Sequence, residues 1–229
     1  MNEFSEKNFK LTIEYLGTKY SGWQFQPNCS TVQGEIESAL KVIFYKSSQN
    51  INLIGSGRTD SGVHALGQVA NIKIKTNMSA LDLKNAINAN VNNDIFIRDS
   101  VEADLNFNAR FSAKKRHYIY KICNIQSPFV NERAWFNKLF ANINMDLLDR
   151  CSNYILGTND FTFFSKDNPD IKNKKCEVYL SKWIEIEHGF LYEIQANRFL
   201  HHMVRYLVGT MIEVAKENIS LDDFNEMLK

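Results

Sequence analysis

The chain has only four cysteines in 229 residues, Cys29, Cys123, Cys151 and Cys176, and no two stand in CxxC spacing. That excludes a disulfide scaffold and a paired-thiol zinc site, and it favours a reducing compartment. Charge of one sign is also lacking: 27 Lys and Arg against 26 Asp and Glu leave a formal net charge of +1. Global attraction to nucleic acid or membrane is therefore excluded, and any such binding has to come from local patches. Nowhere do about eighteen apolar residues run together, as a membrane span requires. The opening MNEFSEKNFK has no long apolar core behind its charges. A cytoplasmic protein with no membrane partner is expected. What is present is 44% apolar residues, enough to build a core in one large domain or two small ones.

Periodicity predicts the elements. FKLTIEYL (9–16) alternates as a strand, and STVQGEIESALKVIF (30–44) places Val32, Ile36, Leu40 and Ile43 on one helical stripe. Ser30 followed by Gln33 is read there as a capping box. INLIGSG (51–57) is a short strand. GQVANIKIKT (67–76) alternates Ala70, Ile72 and Ile74 against Asn71, Lys73 and Lys75, the pattern of a half-buried strand. A helix over 79–91 with Ser79 as cap and a strand over 94–103 complete a β-α-β-β-α-β order. From 116 the pattern resumes: strand 116–124, helix 145–156, strands 177–187 and 189–197, helix 199–218 and a short capped segment from Ser220. The fold class expected is α+β: two ferredoxin-like halves, 1–106 and 107–229, the second without its last strand. They form a mixed, largely antiparallel sheet with helices on one face and a basic cleft between the halves.

Three stretches stand apart. The first is GSGRTDSGVHALGQVA (55–70), with Arg58, Asp60 and His64 in a Gly-punctuated loop. A lone Asp in such a turn ordinarily satisfies turn amides, so its chemistry has to be judged with the other two. The second is NARFSAKKRHYIYK (108–121), where Arg110, Lys114, Lys115, Arg116, His117 and Lys121 occur without an acidic residue, interleaved with Phe111, Tyr118 and Tyr120. Basic groups contact phosphates and flat rings stack on bases, a composition suited to RNA; an edge strand guarded by lysines has the same look. The third is NRFLHHMVRYLVG (197–209). Read as helix, it spaces Arg198, His202 and Arg205 onto one face and turns His201 and His202 about 100° apart, poor geometry for one metal. An arginine in so apolar a helix calls for a carboxylate or phosphate partner if it faces inward. Asp60 is the carboxylate that the three stretches together offer it.

Six stretches, YLGTKYSGWQFQ (15–26), GRTDSGVHALGQV (57–69), FNARFSA (107–113), RHYIYKI (116–122), GTNDFTFF (157–164) and NRFLHHMVRYLVGTM (197–211), resemble the tRNA pseudouridine synthase A family in order along the chain. The resemblance implies a cofactor-free homodimer that isomerises uridine to pseudouridine at positions 38, 39 and 40 of the tRNA anticodon stem-loop. By position, Asp60 matches the family's essential aspartate, Arg58 the arginine beside it, Tyr118 the tyrosine that packs on the target base, and Arg205 the arginine that pairs with the aspartate. Asn108, Arg110, Phe111, Lys114, Lys115 and Arg116 are the further RNA-binding candidates, and no metal ligand is expected. Asn108 departs from the family's usual His, and the family pattern continues past Lys229 into a short strand.

Three other readings are weaker. DSG (60–62) fits an aspartic protease signature, but that chemistry needs two such carboxylates, and the chain has one copy, flanked by Arg58 and Thr59 rather than by apolar residues. A non-catalytic RNA-binding module lacks an RRM-type [KR]-G-[FY]-[GA]-F run. A dinucleotide loop would need GxGxxG spacing and a following helix, where this sequence predicts a strand.

Overall fold

The computed structural model of the chain describes residues 4–47, 49–130, 132–138, 140 and 143–229. They pack as two compact units, Met1–Ala113 and Lys114–Lys229.

In the first unit, β1 (Glu6–Tyr15) lies between β3 (Ala65–Lys75) and β4 (Ile95–Ala103), and β2 (Ile54–Gly55) pairs with the outer edge of β3. All three ladders are antiparallel. One face of this sheet is apolar because the strands alternate: Phe9, Leu11, Ile13, Ala70, Ile72 and Ile97 are fully buried. Against it pack α1 (Val32–Ile43) and α2 (Ala80–Asn88), which contribute Val32, Ile36, Leu40, Leu83 and Ile87 to the same core. Each such side chain contributes roughly 1.5–3 kcal/mol by leaving water.

The expected β-α-β-β-α-β order is observed here, with three local differences. The predicted strand 51–57 shrinks to Ile54–Gly55. Thr31, not Ser30, caps α1, its side chain accepting from the Gly34 amide, while Ser30 Oγ donates to Glu35. Gln33 consequently turns inward rather than closing a capping box, and it is only 7% exposed. Ser79 does cap α2, in a full capping box with Asp82.

Polar Asn71 on β3 is buried too, against the simple alternation, because the second face is locally covered. Its Nδ2 donates to Asn8 Oδ1 at 2.9 Å, its Oδ1 accepts from the Ala109 amide at 2.8 Å, and Asn8 Nδ2 donates to the carbonyls of Asp104 and Phe107. These bonds hold residues 107–113, which the pattern assigns to the second half, in the first unit.

In the second unit the sheet order is β6 (Trp135–Phe136), β5 (Arg116–Cys123), β9 (Gly189–Ala196), β8 (Lys175–Ile186), β7 (Gly157–Asp160). The β5·β9, β8·β9 and β7·β8 ladders are antiparallel and the two-residue β5·β6 bridge is parallel. A bulge between Val178 and Leu180 resets the alternation of β8, so that Cys176 and Val178 and then Ser181 and Trp183 face the core. That core is completed by α4 (Met145–Tyr154), α5 (Met203–Ala215) and α6 (Leu221–Glu226), through Leu148, Cys151, Leu207, Met211, Ile212 and Phe224. The described strands thus form two sheets, one per unit, where a single mixed sheet is expected from the sequence. The edges are β2 and the nine-residue β4 in the first and the short β6 and β7 in the second.

Candidate active site

Asp60 lies in the loop between β2 and β3, and the segment between β1 and α1 folds over that loop and clamps it. The segment opens with a 3-10 turn, Gly17–Lys19. Trp23 donates its amide to Thr59 O at 3.1 Å, and the Tyr15 hydroxyl bonds Thr59 Oγ1 at 2.8 Å. Tyr20 O accepts from Ser61 Oγ and from the Gly62 amide. The Gly17 amide donates to His64 Nδ1 at 3.0 Å, so His64 acts as an acceptor that secures the loop.

The clamp is closed to the point where two positions exclude a side chain. A Cβ on Gly17 would lie 2.0 Å from Val63 O, and one on Gly22, at φ +96°, would lie 2.5 Å from Thr59 O. Gly62, at φ +77°, makes the turn after Ser61, in the left-handed region that glycine enters without strain. Tyr20 also donates to Asp94 Oδ1, with Lys19 Nζ 3.3 Å from the other carboxylate oxygen, so the clamp is itself anchored at the start of β4. Burial and that bond push the Tyr20 phenol well above its usual range. Asp60 is half-buried at the centre of this loop, and Arg58 is exposed two residues before it, with Nε donating to Gln24 Oε1 at 3.0 Å.

The short helix α3 (Ala109–Ser112) packs on β2 and β3, the strands that carry the loop. Asn108 is its N-cap: Oδ1 accepts from the amides of Arg110 and Phe111 at 3.0 and 3.2 Å. Asparagine is among the preferred residues there, which gives Asn108 a structural use. Arg110 and Phe111 project beyond the cap, the ring 80% exposed with the guanidinium carbon 5.8 Å from its centroid. The first unit therefore brings Arg58, Asp60, Asn108, Arg110 and Phe111 onto adjoining elements.

In the second unit the basic stretch is divided by the alternation of β5. His117 and Lys121 face away from the helices, where His117 Nε2 lies 2.9 Å from Glu193 Oε1 and Lys182 Nζ 2.8 Å from Oε2. The bond from Lys182, with the Lys182 charge, holds the Glu193 carboxyl below its ordinary range, and His117 adds to it. Arg116, Tyr118 and Tyr120 take the other face. Arg116 donates to Asn197 O at 2.7 Å, and Tyr118 is half-buried edge-on against Phe199, with centroids 5.0 Å apart at 88°. Burial raises the Tyr120 phenol, and the nearby Arg205 guanidinium partly offsets it. Lys114 and Lys115 are exposed ahead of the strand.

The predicted helix 199–218 begins only at Met203, because His202 adopts a left-handed φ of 62°. This corrects the shared face expected for Arg198, His202 and Arg205. Arg198 stands outside the helix and donates to the carbonyls of Asn173 and Lys175. The His201 and His202 rings are not splayed as on a helix but lie 4.1 Å apart. Lys166 donates its amide to His201 O at 3.0 Å, so the loop of residues 161–166 supports this turn. Arg205, on the first turn of α5, is exposed.

Comparison with known proteins places these units in context. A family model described as tRNA pseudouridine synthase matches residues 11–112 and 152–229. A tRNA pseudouridine synthase A of Hydrogenobaculum sp. is 40% identical over 229 residues, covering 97% of this chain and 91% of the relative. Similar are the proteins of that name from Dictyoglomus thermophilum, 40% identical with 97% and 90% covered, and Clostridium acetobutylicum, 36% identical with 93% and 86% covered. Matches of this extent define an isomerase. The chain belongs to the tRNA pseudouridine synthase family, as the six sequence stretches imply.

Proposed function

We propose that the protein converts uridine to pseudouridine in the tRNA anticodon stem-loop, at positions 38, 39 and 40, with Asp60 as nucleophile or base. The observation that carries this is the double clamp on the Asp60 loop, in which Gly17 and Gly22 leave no room for a Cβ. So many bonds to one nine-residue loop, 56–64, keep a reacting group in place.

The reaction breaks C1′–N1, turns the detached uracil, and joins C5 to C1′; the C5 proton is lost and N1 gains one. No net redox change occurs, and no coenzyme or metal enters this proposal. A carboxylate suits it because it can trap an oxocarbenium-like sugar or remove a proton from the sugar, as carboxylates do in glycosidases. Extruding a stacked uridine costs a few kcal/mol. Stacking on Tyr118 and insertion of Arg58 offset that cost, Arg205 pairs with Asp60, and Asn108, Arg110, Phe111, Lys114, Lys115 and Arg116 hold the RNA. Ferredoxin-like halves with a basic cleft, a homodimer and a cytoplasmic setting belong to the same proposal. Among the described residues no helix is long and apolar enough to cross a membrane.

The test is a pseudouridine map of unmodified tRNA incubated with the purified protein. New pseudouridine confined to positions 38 to 40 supports the proposal. Conversion elsewhere overturns the site assignment, and no conversion overturns the activity.

A further inference from the structure

We infer that Gln24 is a positioning residue for the reaction, holding Arg58 through a chain of side-chain amides rooted in the core of the first unit. This rests on the assignment of Arg58 to the RNA made above. The chain starts at Glu37 on α1, whose Oε1 accepts from the Leu53 amide at 3.1 Å. Gln33, one turn earlier, donates Nε2 to the same carboxylate at 2.9 Å and to Leu53 O at 3.1 Å. Its Oε1 accepts from the Phe25 amide at 3.1 Å and from Gln24 Nε2 at 2.9 Å. Gln24 Oε1 then accepts from Arg58 Nε at 3.0 Å.

The direction of every bond follows from the first. A carboxylate only accepts, so Gln33 has to turn its NH2 toward Glu37 and its carbonyl toward Gln24. Gln24 then has to donate inward, which leaves its carbonyl pointing outward as an acceptor, and the donor it meets is the arginine. The root of the chain is firm, since Gln33 and Leu53 are 7% and 2% exposed, and a hydrogen bond shielded from water is the stronger for it. The contact engages Nε of Arg58. The bond does not use its two terminal amino groups, the fork that grips a phosphate or carbonyl, and the residue is exposed, so that fork is what the proposal offers to the RNA. An arginine on an exposed loop samples many rotamers, and Gln24 selects one before the RNA arrives.

The experiment is a double-mutant cycle read by single-turnover pseudouridine formation at saturating tRNA, with tRNA affinity and melting temperature measured in parallel. Gln24→Leu is expected to lower the rate on the order of tenfold, leaving affinity and melting temperature at wild-type values. In an Arg58→Ala background it should cost nothing more, since the group it positions is gone. Should Gln24→Leu not fold, Gln24→Asn, which keeps the amide but draws it back by one methylene, gives the same reading. A wild-type rate for the Gln24 variant, or a loss that adds in full to that of Arg58→Ala, would overturn the inference. A wild-type rate for Arg58→Ala itself overturns it differently, by removing the RNA role of Arg58.

Discussion

At the scale of single residues, the Asp60 loop is held by the Tyr15 bond to Thr59 and by the close approach of Gly17 and Gly22. Asp60 stands out in the sequence because GRTDSGVHALGQV gives it a setting. Tyr15, Gly17 and Gly22 hold the loop from about forty residues away, and no local pattern connects residues so far apart. Only their clustering in YLGTKYSGWQFQ marked that they act together. Tyr15→Phe removes the bond to Thr59 Oγ1 from a side chain that is 2% exposed. It should cost about 1 kcal/mol in urea unfolding and lower turnover more than tRNA affinity. Gly17→Ala drives a methyl into Val63 O, so the loop has to shift; kcat should fall on the order of a hundredfold in a protein whose circular dichroism is unchanged. The thiols offer a check independent of function. Cys29 is exposed, whereas Cys123, Cys151 and Cys176 are buried, and burial pushes the Cys151 thiol up to about 12. A raised thiol pKa keeps the group as unreactive S–H at pH 8. Mass spectrometry after brief maleimide treatment should therefore find one label, on Cys29, and a second label on the native protein would contradict the burial described.

At the scale of elements, the strands and long helices of both units follow from apolar periodicity, and the differences fall where tertiary contacts decide. The helix expected from 199 starts at Met203 because His202 takes a left-handed conformation, with Arg198 and the His201 carbonyl bonded to other segments. Asn71 looks like the solvent side of a strand and is instead the acceptor for Ala109, a partner 38 residues on. The cap of α1 is a choice between adjacent residues that sequence alone decides poorly: both can accept, and geometry selects Thr31. Thr31→Ala should destabilise by about 1 kcal/mol, measured by thermal or urea unfolding. Ser30→Ala, which removes only an exposed bond to Glu35, should change stability by a few tenths at most. Equal losses from the two would contradict the cap assignment.

At the scale of the whole molecule, a net charge of +1 means that attraction to tRNA has to come from local groups, and the proposal assigns it to Arg58, Arg110, Lys114 and Lys115, with Arg116 tied to Asn197. If about four phosphates are neutralised, the logarithm of the tRNA association constant should fall with the logarithm of salt at a slope near −3. Filter binding across a salt series measures this, and a flat response would show that these residues do not hold the backbone. The composition ruled out a general polyanion binder. It could not reveal that alternation would turn His117 and Lys121 onto a different face from Arg116 and Tyr118, since that depends on which side of β5 the helices cover.

We propose that the clamped carboxylate does the chemistry. It is tested most directly with tRNA carrying 5-tritiated uridine, because the hydrogen at C5 leaves only when the rearranged base is completed. Asp60→Asn should bind this tRNA as the wild type does and release no tritium above background. Release at the wild-type rate from the folded variant would show that Asp60 is not the reacting group.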